Sequence, residues 1–191
     1  MRRVGIFGGS FNPVHWGHVR LAEWIVRHGW ADEVWLMVSP CNPLKAQAAL
    51  LPETERLAMA RLAADEVAGV RASDFEFSLP RPSYTWRTLE ALRAAYSTAS
   101  FSLIIGADNW LHFDRWVRPG DIRAHHRLLV YPRPGYPLDV STLPEGVDLL
   151  GAPVYDVSST RIRQLLHEGA AVDGLVPAAV LRYIKARHLY S

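Results

Sequence analysis

The chain has 191 residues, 49% of them hydrophobic and 21% charged, and a formal net charge of +2. That length suits a single domain, residues 1–191, with room for a sizeable core, while a near-neutral balance without Lys/Arg runs speaks against a nucleic-acid partner. One cysteine, Cys41, excludes an internal disulfide and a Cys-based zinc site, and no apolar run suits a membrane span or a signal peptide, so a cytoplasmic protein with no membrane contact is expected.

Residues 4–7 read as a short apolar strand that runs into Gly8-Gly9-Ser10-Phe11-Asn12-Pro13-Val14-His15-Trp16-Gly17-His18. A helical pattern follows, with Val19, Leu21, Ala22, Trp24, Ile25 and Val26 on or beside one face. A strand that breaks at glycines and reopens as a helix aims backbone N–H groups and the positive end of the helix dipole at one spot. The glycine pair alone is more often an ordinary strand-to-helix turn. His15 and His18, at i and i+3, share a face of the first helical turn. Two imidazoles beside an anion hole suit phosphoryl or nucleotidyl transfer, where positioning and charge stabilisation carry catalysis.

The first helix should stop near His28-Gly29. Residues 33–39 read as a buried strand, which completes a βαβ unit and implies a parallel sheet. The loop after it, Pro40-Cys41-Asn42-Pro43-Leu44-Lys45, lies beyond a strand's carboxyl end, where open parallel sheets bind ligands. Asn42 and Lys45 could there hold a phosphate or carboxylate, or be solvated loop residues. Pro52 and its acidic neighbours open a second helix. Residues 70–77 read as a strand near the sheet edge. Ser83 is placed to cap a helix whose stripe includes Leu89, Leu92 and Tyr96.

Residues 101–105 read as a central strand ending in Gly106-Ala107-Asp108-Asn109. Asp108 could accept ribose hydroxyls or cap a helix. Trp110, Leu111, Phe113, Trp116 and Val117 follow at helical spacing, mostly as core. Residues 127–131 and 148–155 read as strands, with a Pro/Gly-rich surface loop at 134–147. From Asp156 a helix opens with Ser158-Ser159-Thr160-Arg161-Ile162-Arg163, whose hydroxyls and arginine could clamp a triphosphate or cap the helix. A last helix starts at Pro177. The expected architecture is an α/β, Rossmann-like open parallel sheet with helices on both faces and a helical segment over residues 156–191.

Gly9, Phe11, Pro13, His15, Gly17 and His18 fill every position of a GxFxPxHxGH signature, and so the chain resembles the HxGH nucleotidyltransferase superfamily. Residues 158–163 match its SSTxIR motif. Pro82-Ser83-Tyr84-Thr85 with Thr88-Leu89 matches the PSYTxxTL segment of one family within it, the bacterial nicotinate-nucleotide adenylyltransferases. Gly106-Ala107-Asp108 with Phe113 and Trp116 matches that family's GAD and FxxW pattern. Val176-Pro177, Tyr183-Ile184 and Leu189-Tyr190 resemble its last helix. Asn12 departs from a common aspartate, Arg87 replaces an often acidic residue, and residues 40–45 resemble only some members.

The resemblance implies transfer of adenylate from ATP to nicotinate mononucleotide, with Mg²⁺ and release of pyrophosphate. It assigns Gly8, Gly9, Ser10, Phe11, His15 and His18 to the ATP phosphates, with the two histidines and Arg163 catalytic. Gly106 and Asp108 would meet adenosine, and Ser159, Thr160 and Arg163 the β- and γ-phosphates. Tyr84, Thr85 and Trp116 would hold the nicotinate end, with Asn42 and Lys45 at the border of the mononucleotide. The metal would rest on phosphates and water, with no protein ligands. A monomer or small homo-oligomer is expected. Pantetheine-phosphate adenylyltransferase is the nearest alternative, and a non-catalytic nucleotide sensor of the same fold the other.

Overall fold

A computed structural model describes residues 1–40 and 50–190 of the chain. Six parallel strands form one sheet in the order β3-β2-β1-β4-β5-β6. The first half of the chain supplies β1 (Arg2–Gly9), α1 (Trp16–Arg27), β2 (Glu33–Val38), α2 (Glu53–Ala64), β3 (Val70–Ser73) and α3 (Thr85–Ala95). The second supplies β4 (Ala99–Gly106), the single turn α4 (Ala107–Trp110), α5 (Pro119–His125), β5 (Leu128–Tyr131), β6 (Val147–Leu149), α6 (Ser159–His167) and α7 (Ala178–Ala186). The strand order reverses between β1 and β4, which pair from Arg2 opposite Ala99 to Phe7 opposite Ile104. Such a reversal opens a crevice at the carboxyl ends of the two strands.

Both faces of the sheet are covered, because successive side chains of a strand point to opposite sides and here both sets are apolar. Leu36 and Ile104 pack into one cluster with Leu21 and Ile25 of α1, Met59 of α2, Ile162 of α6 and Ile184 of α7. Ile6, Trp35 and Leu103 pack into the other with Leu89 and Leu92 of α3 and Ile122 of α5. Fully burying each such side chain stabilises the fold by about 2 kcal/mol. Gly5 leaves room for the Ile104 side chain of the neighbouring strand, since a Cβ there would fall 2.7 Å from Ile104 Cδ1. The expected Rossmann-like sheet with two helix layers is therefore what forms.

Three segments differ from the pattern reading. β3 stops at Ser73, and residues 75–78 form a 3₁₀ turn that carries Glu76 inward. The alternation across residues 70–77 reflected a buried turn as much as a strand. β6 is only Val147–Leu149, an edge strand; the Leu150 N–H still donates to the Val130 carbonyl at 2.8 Å, and its partner β5 itself ends at Tyr131. The helical spacing over residues 110–117 is two short turns, α4 and a 3₁₀ turn at Phe113–Arg115, with Phe113 buried and Leu111 and Val117 exposed.

Candidate active site

At the carboxyl end of β1 the chain turns through residues 10–15 before α1 begins. Phe11 sits at φ +46°, a left-handed conformation rare for a bulky residue. Its ring folds back under Gly9, where an added Cβ would come within 2.9 Å of Phe11 Cζ, so only glycine fits that position. Phe11 meets the rings of Phe7 at 5.9 Å and His18 at 5.0 Å, both edge-on. The loop is fixed from below by Arg56 of α2, which is 1% exposed and donates to the carbonyls of Ser10 and Ser39 at 2.7 Å, Leu51 at 2.9 Å and Pro40 at 3.1 Å. One buried guanidinium thus ties the ends of β1 and β2 together.

His15 and His18 stack with ring centroids 3.7 Å apart. The His15 backbone N–H donates to His18 Nδ1 at 3.3 Å, which places the ring proton of His18 on Nε2. Burial, reinforced by the positive charge of Arg133, pulls the His15 pKa down to about 4. His15 therefore acts as a neutral imidazole at physiological pH. From the other side, α6 presents its amino end, with Ser158 Oγ accepting from the Arg161 N–H at 3.2 Å. Ser159 Oγ donates to the Pro13 carbonyl at 3.0 Å, and Arg163 Nη1 to the Asn12 carbonyl at 2.8 Å. Neither α1 nor α6 carries an acidic residue in its first turn. Two positive helix ends face one cleft of about 430 Å³, lined by Gly8, Gly9, Ser10, His15, His18, Ser159, Thr160 and Arg163.

A second cavity of about 380 Å³ adjoins it and shares Phe7, Gly8, Gly9, Ser10, Asn109 and Tyr131 with the first. Its outer wall is Tyr84 and Thr85 at the start of α3, with Arg115 and Trp116. Tyr84, not Ser83, is the residue that caps α3, and it supplies no side-chain hydrogen bond. The first turn of α3 also lacks an acid, so its leading N–H groups suit an anion. Inside this cavity Glu76 accepts from Ser39 Oγ at 2.7 Å and Thr88 Oγ1 at 2.8 Å. Burial raises the Glu76 pKa against the opposing effect of those hydroxyls.

Gly106 and Asp108 stand where the two cavities meet β4. Asp108 lies in the first turn of α4 rather than capping it; its Oδ1 is buried, accepts no hydrogen bond among the described residues, and sits 3.4 Å from Arg133 Nε. The structure thus gathers His15, His18, Arg163, Gly8, Gly9, Ser10, Phe11, Asp108, Ser159 and Thr160 around one cleft, and Gly106, Tyr84, Thr85 and Trp116 around its neighbour. Asn42 and Lys45 lie outside the described residues. Sequence reasoning missed Glu76, Arg56, Tyr131 and Arg133. Of these, Tyr131 and Arg133 carried a usable signal, since they close a parallel strand at its carboxyl end.

The cytidylyltransferase-like family model matches residues 6–165. The chain is 49% identical over 183 residues to a probable nicotinate-nucleotide adenylyltransferase of Bacteroides thetaiotaomicron, covering 96% of this chain and 91% of that protein. It is 40% identical over 189 residues to one from Cytophaga hutchinsonii, covering 99% and 98%. In fold it is similar to the Plasmodium falciparum nicotinic acid mononucleotide adenylyltransferase complexed with NaAD, with a TM-score of 0.84 at 18% identity over 100% of this chain and 98% of that one.

Proposed function

The chain belongs to the cytidylyltransferase-like family and, within it, to the nicotinate-nucleotide adenylyltransferases, and from that footing we propose that it joins ATP to nicotinate mononucleotide, giving nicotinate adenine dinucleotide and pyrophosphate. The observation that carries the reading is the pair of adjoining cavities on either side of Gly8-Gly9-Ser10: one built for a polyphosphate, the other for a flat anionic ring.

The mononucleotide's 5′-phosphate attacks the α-phosphorus of ATP in line. A new P–O bond forms as the bond from the α-phosphorus to the bridging oxygen breaks, and that oxygen's electron pair leaves with pyrophosphate. A phosphate is already a competent nucleophile, so no general base is required. His18 donates through Nε2–H to phosphate oxygens, with neutral His15 stacked against it. Ser159, Thr160, Arg163 and the amino end of α6 hold the β- and γ-phosphates as charge moves onto the leaving group. Asp108 meets the adenosine. Trp116 covers the pyridine ring, and the leading N–H groups of α3 with Thr85 receive its carboxylate, which favours nicotinate over nicotinamide.

Imidazoles, hydroxyls, N–H groups and Arg163 suit phosphate oxygens, and no group of three or more His, Cys, Asp or Glu among the described residues is placed to hold a metal. Such a donor set fits Mg²⁺ carried by the nucleotide, on phosphate oxygens and water. When bound it neutralises charge on the departing pyrophosphate.

The test is pyrophosphate release from ATP and Mg²⁺ with nicotinate mononucleotide, nicotinamide mononucleotide or phosphopantetheine as acceptor. Strong preference for the first is expected. Turnover of phosphopantetheine alone, or ATP binding without turnover of any acceptor, overturns the reading.

A further inference from the structure

The segment after α7 returns to the phosphate loop. Tyr190 OH donates to Asn12 Oδ1 at 2.8 Å across a sequence separation of 178 residues. Asn12 is 2% exposed, and the same Oδ1 also accepts the Leu51 N–H at 3.3 Å. Two donors on one carboxamide oxygen fix the orientation of that side chain and of the peptide bearing it. The Asn12 backbone carbonyl, in turn, is the acceptor for Arg163 Nη1 at 2.8 Å. Asn12 is thus gripped on its side chain by Tyr190 and joined through its main chain to the arginine that faces the phosphate cleft.

The backbone leading to this contact is itself unusual. His188 lies at φ +49° and Tyr190 at φ +66°, left-handed conformations that residues with a Cβ rarely adopt. Strained residues of this kind persist only where surrounding contacts over-determine them, and they cluster at sites of function. Neighbouring contacts hold the segment: Tyr183 OH donates to Glu55 Oε2 at 2.9 Å, and Arg187 Nη2 to Glu55 Oε1 at 2.6 Å. Burial pushes the Tyr190 hydroxyl well above its ordinary range despite Arg163 and Arg56 nearby, so it remains a donor throughout the working pH range.

We propose that Tyr190 is a positioning residue for adenylyl transfer: through Asn12 it sets the carbonyl that orients Arg163 toward the β- and γ-phosphates. The proposal rests on the adenylyltransferase reading. Its role is distinct from simple anchoring, because the hydroxyl bears on Asn12, whose carbonyl accepts from Arg163. Asparagine at position 12 makes this a neutral hydrogen bond, dependent on geometry rather than on charge.

Steady-state kinetics of Tyr190→Phe, with ATP and nicotinate mononucleotide varied separately, test it. Loss of the hydroxyl alone is expected to lower kcat and raise the KM for ATP by roughly fivefold in combined kcat/KM, the scale of one hydrogen bond. The KM for nicotinate mononucleotide should stay at the wild-type value, as should the unfolding midpoint within a few degrees. In an Arg163→Ala background the same substitution should cost less than about twofold, because the two residues act in series. Wild-type kinetics in Tyr190→Phe overturn the proposal. So does a full, additive loss in the Arg163→Ala background, or a loss shared equally by both substrates. Failure of the wild-type enzyme to use nicotinate mononucleotide would instead remove the functional reading beneath it.

Discussion

The backbone N–H of His15 points at Nδ1 of His18, 3.3 Å away, so the first histidine's main chain sets the second one's tautomer. His18 is thereby committed to donating through Nε2, the form a phosphate oxygen requires. On the proposed mechanism, replacing it by alanine removes one stabilising donor at the reacting phosphate. The expected cost is a drop in kcat of at least about a hundredfold, with the KM for nicotinate mononucleotide little changed. Pyrophosphate release by His18→Ala at near-normal rate would show that the charge is met elsewhere.

His15 makes stability depend on pH. Its pKa is near 6.5 in the unfolded chain and pulled down to about 4 in the folded one. Between those values the unfolded state takes up a proton that the folded state refuses, so stability falls as pH falls through that window and is unaffected by His15 above it. At about pH 5 the contribution is on the order of 2 kcal/mol. His126, also lowered chiefly by burial, acts in the same direction. His15→Gln retains His126, so comparing its thermal midpoints at about pH 7.5 and about pH 5 with wild type isolates the His15 share. Wild type should lose more; an identical loss in both proteins refutes the assignment.

On the proposed reaction, Trp116 should distinguish the two substrates. It lines the cavity with Thr85 and Tyr84 and has no place in the phosphate cleft. Trp116→Ala should raise the KM for nicotinate mononucleotide by about tenfold, on the scale of one aromatic stacking contact, while that for ATP holds. A parallel rise in both would mean that the tryptophan shapes the whole site.

Gly106 is needed for space rather than for conformation. Its φ of −76° suits any residue, yet a Cβ there would run into Asp108 Oδ1 and come within 3.1 Å of Arg133 Cγ and 3.2 Å of Tyr131 Cζ. Gly106→Ala should turn the Asp108 carboxylate aside and raise the KM for ATP roughly tenfold or more, in line with the cost of overpacking. Isothermal titration with a non-reacting ATP analogue reads this directly. Unchanged affinity would show that Asp108 contributes nothing to the nucleotide.

The local parts of the site were legible in the sequence. The strand, the glycine break, the paired histidines and the serine-rich start of α6 each act within a few residues, and pattern alone could place them. Glu76 escaped because it alternates like a strand residue while sitting on a 3₁₀ turn; only Ser39 and Thr88, 37 and 12 residues away in sequence, reveal its place. Arg56 escaped for a similar reason. On its own helix it reads as a first-turn basic residue, and its purpose lies in four carbonyls from three segments outside that helix. Helical spacing over residues 110–117 misled because a single buried ring, Phe113, takes Trp110 stacked on it and Trp116 tilted against it across two separate turns.

The reversal between β1 and β4 also orders events during folding. β1 pairs with β2 across one local crossover, but with β4 only after most of the first hundred residues have been laid down. Non-local parallel pairing is slow, since loop-closure entropy is lost before any contact is gained. A chain still emerging from the ribosome therefore carries the glycine loop and both histidines on a half-sheet, with no opposite wall to enclose a nucleotide. Pulse-labelled amides of β2 should gain protection before those of β5, and affinity for ATP should appear with the later set.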